Sequence, residues 1–478
     1  MGGPAMRTGA NPRDRLPQIA IALVSVGLVL PSLSIGFLSD DFSWLNIVRD
    51  TREMGWADYL AVPSPYGYFR PAPMALFRAI GLSLPEAVWP FRALIVLLHL
   101  ANCLLVYWLG RRLDFSRSVS MITALLFAVL PCHAESLFWV SALNEPLASF
   151  LALSGFALLL RLRPAISSPL ATALFAAALA TRESSFCYIP LVFLLCRLQP
   201  RLRTPAIIPV LLLPGVIYLT ARYWWSLSLP PGLAVSSPGD LNLNPLEMGR
   251  RLFHYLAAMV LPVKTIFDLA GFGRYDSLRN ILGSPGTSPP AYWSFAVFGV
   301  SALLGAGFFA YRLLGRKILG PLAFTVLALG VYLPFRNTSE HFLYFPSIGI
   351  CFALGLLLAK AASQRASVGL AVAIALFSVY AGSRANRLYR WHRASAALEG
   401  SMSQLAGLAS GLPDNSRVLV EGLDNRYYGI PFVGEHSLND AWSFRHPDRP
   451  LAFYFDRTGR DAVMIAYSPV NFGFERIR

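Results

Sequence analysis

The chain has 478 residues, of which 55% are hydrophobic and 14% charged, where an ordinary soluble domain carries roughly 25% charged residues. That balance excludes a soluble globule and a disordered chain. The net charge of +15 comes almost wholly from arginines scattered over short loops. They read as topology signals that hold loops against the inner leaflet, and no nucleic-acid stripe is formed.

Apolar runs recur along most of the length, and each is long enough to approach the ~30 Å of a hydrocarbon layer. They predict about eleven spans, over 17–38, 92–110, 117–132, 144–160, 165–181, 184–197, 204–221, 291–311, 318–335, 342–360 and 366–382. The first run, Pro17 to Leu38, has no ionisable side chain and is followed by no small-x-small cleavage site, so it is expected to remain as a span. The five cysteines lie in or beside apolar runs without metal-ligand spacing and are expected as buried free thiols.

Basic loops fall after alternate spans: "GRRLDFSR" (110–117), "RLR" (161–163), "RLQPRLR" (197–203), "RLLGRK" (312–317), then Lys360 and Arg365. With Arg7, Arg13 and Arg15 they share the cytoplasmic side. Segments 39–90, 133–143, 181–184, 222–290, 336–341 and everything after 383 are then extracytoplasmic. Within 39–90, Phe42, Leu45, Ile47, Val48, Trp56, Tyr59 and Leu60 predict helices lying along the membrane interface, with a second such helix over 70–84. Segment 246–263 reads as an amphipathic or re-entrant outer helix. "RVLVEGL", "LAFYFD" and "AVMIAY" in the last ~80 residues read as strands of a small soluble α+β domain.

Ionisable groups at membrane depth are costly and usually face a cavity or a partner. Here the unexplained ones fall on the outer side: Asp40 and Asp41 after the first span, Arg70, His133, Glu135, Glu145, Arg182, Glu183, Arg336, Glu340 and His341. Short loops between adjacent spans cannot stray far, so these groups are expected to converge on one outer cavity. Plainer readings stand beside that one. Arg182–Glu183 is equally an interfacial ion pair, His133 a cap on the third span, and Glu145 a carboxylate at a helix N-terminus. Two adjacent carboxylates repel, which raises one pKa and suits a general base. An apolar groove, a carboxylate and nearby cations together suit a lipid-linked phosphate substrate.

The order of these patches resembles the GT-C integral-membrane glycosyltransferases, and most nearly the branch of the transmembrane-and-TPR protein O-mannosyltransferases with their bacterial relatives. That branch has "DD" after span one, as Asp40–Asp41 here, and "RP" opening a helix, as Arg70–Pro71. It has an "H-N" pair in span two, as His99 and Asn102, and "HPxHxEAVAW", of which "PCHAESLFWVS" keeps Pro131, His133, Glu135 and Trp139. It has "KE", as Arg182–Glu183, and "ERYLYLPSIGF" against "EHFLYFPSIGI", with Glu340, Tyr344, Pro346, Ser347 and Gly349. It has "RNxxW", close to "RANRLYRWHR" (384–393). The chain departs from the branch in lacking a TPR array and the first His of "HPxH", and in carrying His341 for Arg and Arg182 for Lys.

The resemblance, which covers roughly 15–395, implies an all-α polytopic membrane protein with a GT-C-like catalytic domain over 1–395; the strand-like runs place beside it a small extracytoplasmic α+β domain over 396–478 that has no counterpart in the family. The resemblance implies transfer of a hexose or pentose from a polyprenyl-phosphate donor to an extracytoplasmic glycan, lipid or protein, inverting at the anomeric carbon. Asp40 is the preferred base, with Asp41 orienting or capping, and the reverse assignment stays open. Arg70, Arg182, Arg336 and His341 are candidates for the lipid phosphate. His133 and Glu135 would line the acceptor or metal side, with Glu183, Glu340 and Tyr344 in the substrate site. Asp40, Asp41, His133 and Glu135 are donors suited to Mg²⁺ or Mn²⁺. A transporter or lipid flippase is the alternative, although no internal repeat is visible and the polar groups cluster at one face, away from the midplane.

Overall fold

The computed structural model describes residues 15–229, 241–269, 301, 305, 307–336, 338–414, 416–421, 426–427, 430–432, 435–455, 463–468 and 473–476. Helix α1 (Leu16–Val29) runs on as a tight turn to Ser34. The first outer segment folds into α2 (Asp41–Asp50), α3 (Trp56–Ala61) and α4 (Pro71–Ser83). Then follow α5 (Trp89–Arg112), α6 (Arg117–Val129), the short α7 (Ala134–Phe138), α8 (Asn144–Arg161), α9 (Pro164–Thr181), α10 (Tyr188–Leu198) and α11 (Ile207–Leu227). The outer helices α12 (Pro245–Val260) and α13 (Val263–Leu269) precede α14 (Leu319–Leu329), α15 (Ser347–Gln364) and α16 (Ala366–Ala409).

Six described helices are long and apolar enough to cross a bilayer, or seven if α6 and α7, bent by 52° at Pro131, form one span. The chain is a multi-pass helical membrane protein on that count, with fewer full-length spans than the hydropathy predicts. The difference has a backbone cause. The run 184–197 splits into a tight turn over Glu183–Cys187 and an 11-residue helix, and 318–335 yields another 11-residue helix before its chain turns. Eleven residues reach about 16 Å, half the hydrocarbon thickness. Part of the predicted span 291–311 lies outside the described residues. Helix α12 has 16 residues, does not qualify as a span, and lies against the outer ends of other helices.

The first outer segment also differs from expectation. Phe42, Leu45, Val48 and Tyr59 are buried and Trp44 stacks on Phe77 at 4.7 Å, so α2 and α4 pack against each other and the bundle. Their apolar faces meet protein, and of Trp56 and Tyr59 only Trp56 is exposed. Four cysteines are buried free thiols and Cys196 is half-buried.

Helix α16 is 44 residues long, about 66 Å. It passes unbroken through the expected boundary at 395/396 and carries the C-terminal lobe. There β1 (Arg417–Glu421), β4 (Ala452–Tyr454), β5 (Val463–Ser468) and β6 (Gly473–Arg476) form a sheet in the order β4-β1-β5-β6. β1 is parallel to β4 and β5, and β6 is antiparallel to β5. β2 (Arg426–Tyr427) and β3 (Ile430–Pro431) make a small separate ladder. Helix α17 (Glu435–Arg445) buries Leu438, Ala441 and Trp442.

Tight crossings use small residues. A Cβ on Gly349 would fall on the Pro321 carbonyl and the Thr325 hydroxyl, so α14 and α15 touch backbone to backbone there. Gly349→Ala is expected to lower thermal stability in detergent by about 1–3 kcal/mol through overpacking. Gly382→Ala, which meets nothing within 4 Å, should leave it unchanged.

A candidate active site at one end of the bundle

The helix order places the C-terminus of α1 and α9 and the N-terminus of α5, α8 and α15 at one end of the bundle. The basic loops expected on the cytoplasmic side lie at the other end, where α5 meets α6, α8 meets α9, α10 meets α11 and α15 meets α16.

Asp41 opens α2 and is fully buried. Its Oδ2 accepts from the Leu38 N–H at 3.0 Å, and its Oδ1 accepts from the Ser141 N–H and hydroxyl at 2.7 and 2.5 Å. Burial pushes its pKa up to about 6, against the pull of those donors and of the Arg92 charge. Arg92, also fully buried, donates to the carbonyls of Ile35, Gly36 and Phe138 at 2.6, 2.9 and 3.0 Å, and so fixes the turn that leads into Asp40 and Asp41. Asp40 is half-buried and accepts from the Ser39 hydroxyl at 3.1 Å. The two carboxylates therefore differ: one is locked into the protein, the other lies nearer the surface.

Beside them α7 brings in Glu135, 1% exposed. Lys264 donates to its Oε1 at 2.9 Å, while the Ser339 hydroxyl, the His341 N–H (3.2 Å) and His341 Nδ1 (3.3 Å) converge on Oε2. Lys264 also reaches Glu340 at 3.4 Å, and Arg387 meets the same carboxylate at 3.2 Å. The result is an alternating ladder, Glu135–Lys264–Glu340–Arg387, joining α7, α13, the 340–343 turn and α16. Trp139 connects it to the Asp41 turn, donating to the Leu38 carbonyl at 3.3 Å with its ring 6.0 Å from that of His341.

A second group lies across Phe342. Arg182 and Glu183 do not pair with each other. Arg182 meets Glu145 at 2.8 Å, and Glu183 meets Arg70 at 3.1 Å and Arg222 at 4.0 Å. Burial works against the Arg182 charge, but Glu145 outweighs it and raises the pKa. Burial alone would lift the Glu183 carboxyl, but Arg70 holds it below the usual carboxylate range. The Arg182 guanidinium lies 5.2 Å from the Phe342 ring centroid, with Tyr332 stacked on that ring at 4.7 Å and His341 against it at 4.6 Å. Arg70 caps α4 and sits over Tyr68 at 4.2 Å.

The remaining expected residues are placed differently. His133 is fully buried, its Nε2 2.8 Å from the Ser347 hydroxyl and its ring 4.6 Å from Tyr344. Tyr344 is also fully buried, bonded to His99 at 2.8 Å and to Asn102 at 3.3 Å. These form a polar core beneath the site. Arg336 is exposed. Among the described residues no three His, Cys, Asp or Glu side chains gather to hold a metal. Asp41 is committed to Ser141, His133 to Ser347 and Glu135 to Lys264, so the expected donors do not form a shared cage for a divalent ion.

Sequence reasoning missed Arg92, Lys264, Arg222 and Arg387. Lys264 carried a usable signal: it is one of three lysines in the chain and stands beside an apolar helix on the side where cations are scarce. Arg222 stands near the C-terminal end of α11, a helix with one exposed apolar face. Arg387 lay in the "RNxxW"-like patch.

No family model matches the chain, and no curated protein does. Among solved structures it is similar to ArnT from Cupriavidus metallidurans bound to undecaprenyl phosphate, at 15% identity and a TM-score of 0.42, over 96% of this chain and 94% of that one. It is similar also to the archaeal oligosaccharyltransferase AglB from Archaeoglobus fulgidus, in complex with an inhibitory peptide and a dolichol-phosphate, at 13% identity and a TM-score of 0.45. That match covers 87% of this chain and 63% of AglB, so the chain spans less than two thirds of AglB.

Two outcomes are expected. Because the folded state holds Asp41 protonated up to about pH 6, its contribution to stability is present below the ordinary aspartate value of 3.8 and is lost as pH rises to about 6. Melting curves of Asp41→Asn should accordingly be flatter than wild type across that window. Lys264→Met removes the lysine partner of Glu135 and leaves Glu340 with Arg387, and is expected to cost about 3–5 kcal/mol, with part recovered by adding Glu135→Gln, read as detergent melting temperatures.

Proposed function

We propose that the chain transfers a sugar from a polyprenyl-phosphate donor to an acceptor hydroxyl on the extracytoplasmic side of the membrane. The observation that carries the reading is a local excess of positive charge at a lipid-facing edge. Arg70 and Arg222 share the single carboxylate of Glu183, and Arg222 stands on α11, whose Leu212, Val216, Leu219, Tyr223 and Trp224 point away from the protein. A phosphate on a long isoprenoid tail would find its charge met there while the tail lies along α11 in the bilayer. The order of sequence patches, which resembles the GT-C glycosyltransferases, supports the same reading.

In this proposal Asp40 takes the proton of the acceptor hydroxyl, whose oxygen attacks the anomeric carbon. The bond to the phosphate oxygen breaks on the opposite face, and the configuration inverts. The lipid phosphate leaves with its charge stabilised by Arg70 and Arg222, with Arg182, Arg336 and His341 as further contacts. Asp41, held by Ser141 and Leu38, orients the turn that presents Asp40. The positive-inside distribution of the loops supports the extracytoplasmic placement.

The test is transfer from a labelled polyprenyl-phosphate sugar by Asp40→Asn and Asp41→Asn separately. Loss of a general base should reduce turnover by about 10²-fold or more in Asp40→Asn. Unchanged turnover in both variants overturns the assignment. Polyprenyl phosphate recovered by lipid extraction of the purified protein, and depleted in Arg70→Ala, is the expected companion result.

A further inference from the structure

The lobe beyond the last span grips the acidic helix. Helix α17 lies along α2, and its contacts fall on one face of α2 at helical spacing: Ser43, Asn46 and Arg49. The Ser43 hydroxyl donates to the Asp440 carboxylate. The Asn46 amide donates to the Asp440 carbonyl at 2.8 Å. The Arg49 guanidinium donates to the carbonyl and hydroxyl of Ser443 at 2.5 and 2.9 Å. Phe444 adds an apolar contact, with its ring 5.7 Å from Phe42 and 6.2 Å from Phe37.

The grip is anchored to the long helix on both flanks of the acidic pair. On the upstream side the Gly36 N–H donates to the Ser395 hydroxyl at 2.8 Å, and a Cβ at Gly36 would sit 2.8 Å from that oxygen. On the downstream side Arg445, the last residue of α17, makes a two-pronged pair with Glu399 at 2.6 Å on each prong. Ser395 and Glu399 are one turn apart on α16. The lobe itself is locked to that helix, since Arg449 donates to the carbonyls of Ala409, Ser410 and Leu412 at 2.6, 2.8 and 3.3 Å. Asn439 ties α17 to β4, exchanging two bonds with the Phe453 backbone at 3.0 and 2.9 Å.

We infer that Asp440 and Ser443, acting through Ser43, Asn46 and Arg49, are positioning residues: the C-terminal lobe sets the rotation of α2 and thereby the direction in which Asp40 and Asp41 present their carboxylates. Asp41 opens α2 and Asp40 is its N-cap residue, three positions before Ser43, so a roll of α2 about its axis moves the acidic pair directly. Long, paired and partly buried polar contacts fix such a roll better than an apolar face, which tolerates slippage. This rests on the reading of Asp40 and Asp41 as the reacting pair.

The experiment uses the full chain in lipid nanodiscs, with Ser43→Ala, Asp440→Ala, the double variant, and Ser43→Thr, which keeps the hydroxyl. Two readouts are taken, amide exchange of the peptide 41–50 and steady-state transfer from a labelled polyprenyl-phosphate sugar. Asp440→Ala is expected to speed exchange across 41–50 by about tenfold. It should also lower kcat by roughly tenfold with donor KM unchanged. The double variant should be no worse than Asp440→Ala alone, and Ser43→Thr should match wild type. Unchanged exchange over 41–50 in Asp440→Ala overturns the inference, and so does a change confined to KM. If the wild-type chain transfers no sugar, the proposed function fails, and the exchange result still decides whether the lobe holds α2.

Discussion

Charge cannot be left alone at the edge of a bilayer, and the end of this bundle that carries Asp40 and Asp41 is built around that requirement. Glu135, Glu145, Glu183 and Glu340 each meet a cation from another part of the chain: Lys264, Arg182, Arg70 and Arg387. Asp41 lies in the field of Arg92 and accepts three hydrogen bonds. An ion taken out of water without a partner costs several kcal/mol even after relaxation. The pairs therefore fix which segments can sit side by side, because any other arrangement of the outer segments would strand a carboxylate. Lys264 is the clearest case, since it spans two carboxylates and so holds α13 against both α7 and the 340–343 turn.

The pairs are not electrically equivalent. The ladder through Glu135 and Glu340 alternates in sign and is shut in by Trp139, His341 and α12. At Glu183 two guanidiniums share one carboxylate, and both keep partial exposure. The first arrangement is a brace; the second sets two cations against one carboxylate beside the exposed apolar face of α11. Beneath both, His99, Tyr344, Asn102, His133 and Ser347 form a polar core that holds α5, the 131–133 turn and α15 together. Candidate residues that looked alike in sequence thus divide into those that face outward and those that fix the scaffold.

The acidic pair, the helix opened by Arg70, and three of the strands were legible because each is a local pattern: a charge ending an apolar run, a Pro at a helix start, a short apolar stretch between turn residues. The partners were not. Glu135 and Lys264 lie 129 residues apart and Arg70 and Glu183 lie 113 apart, and no local pattern encodes that meeting. Adjacent residues misled for the same reason: Arg182 and Glu183 read as a pair, yet the backbone turn between them sends one to Glu145 and the other to Arg70. Among the described residues fewer helices reach full span length than hydropathy suggests, because hydropathy counts residues and ignores breaks in the backbone. A run interrupted by a tight turn keeps its apolarity and loses its reach. The aromatic residues of the first segment matched an interfacial pattern, but Trp44 and Tyr59 pack on α4 and Phe42 meets Phe444 of the C-terminal lobe, so their faces meet protein.

Helix α16 joins the hydrocarbon region to that lobe without an interruption in its 44 residues. A rod of that kind is a lever. A change of about 5° in its slope within the bilayer would swing its far end by about 6 Å, given a length of about 66 Å. Ser395 and Glu399 ride on the C-terminal half of this rod, so its slope is tied through Gly36 and Arg445 to the segment that carries the acidic pair.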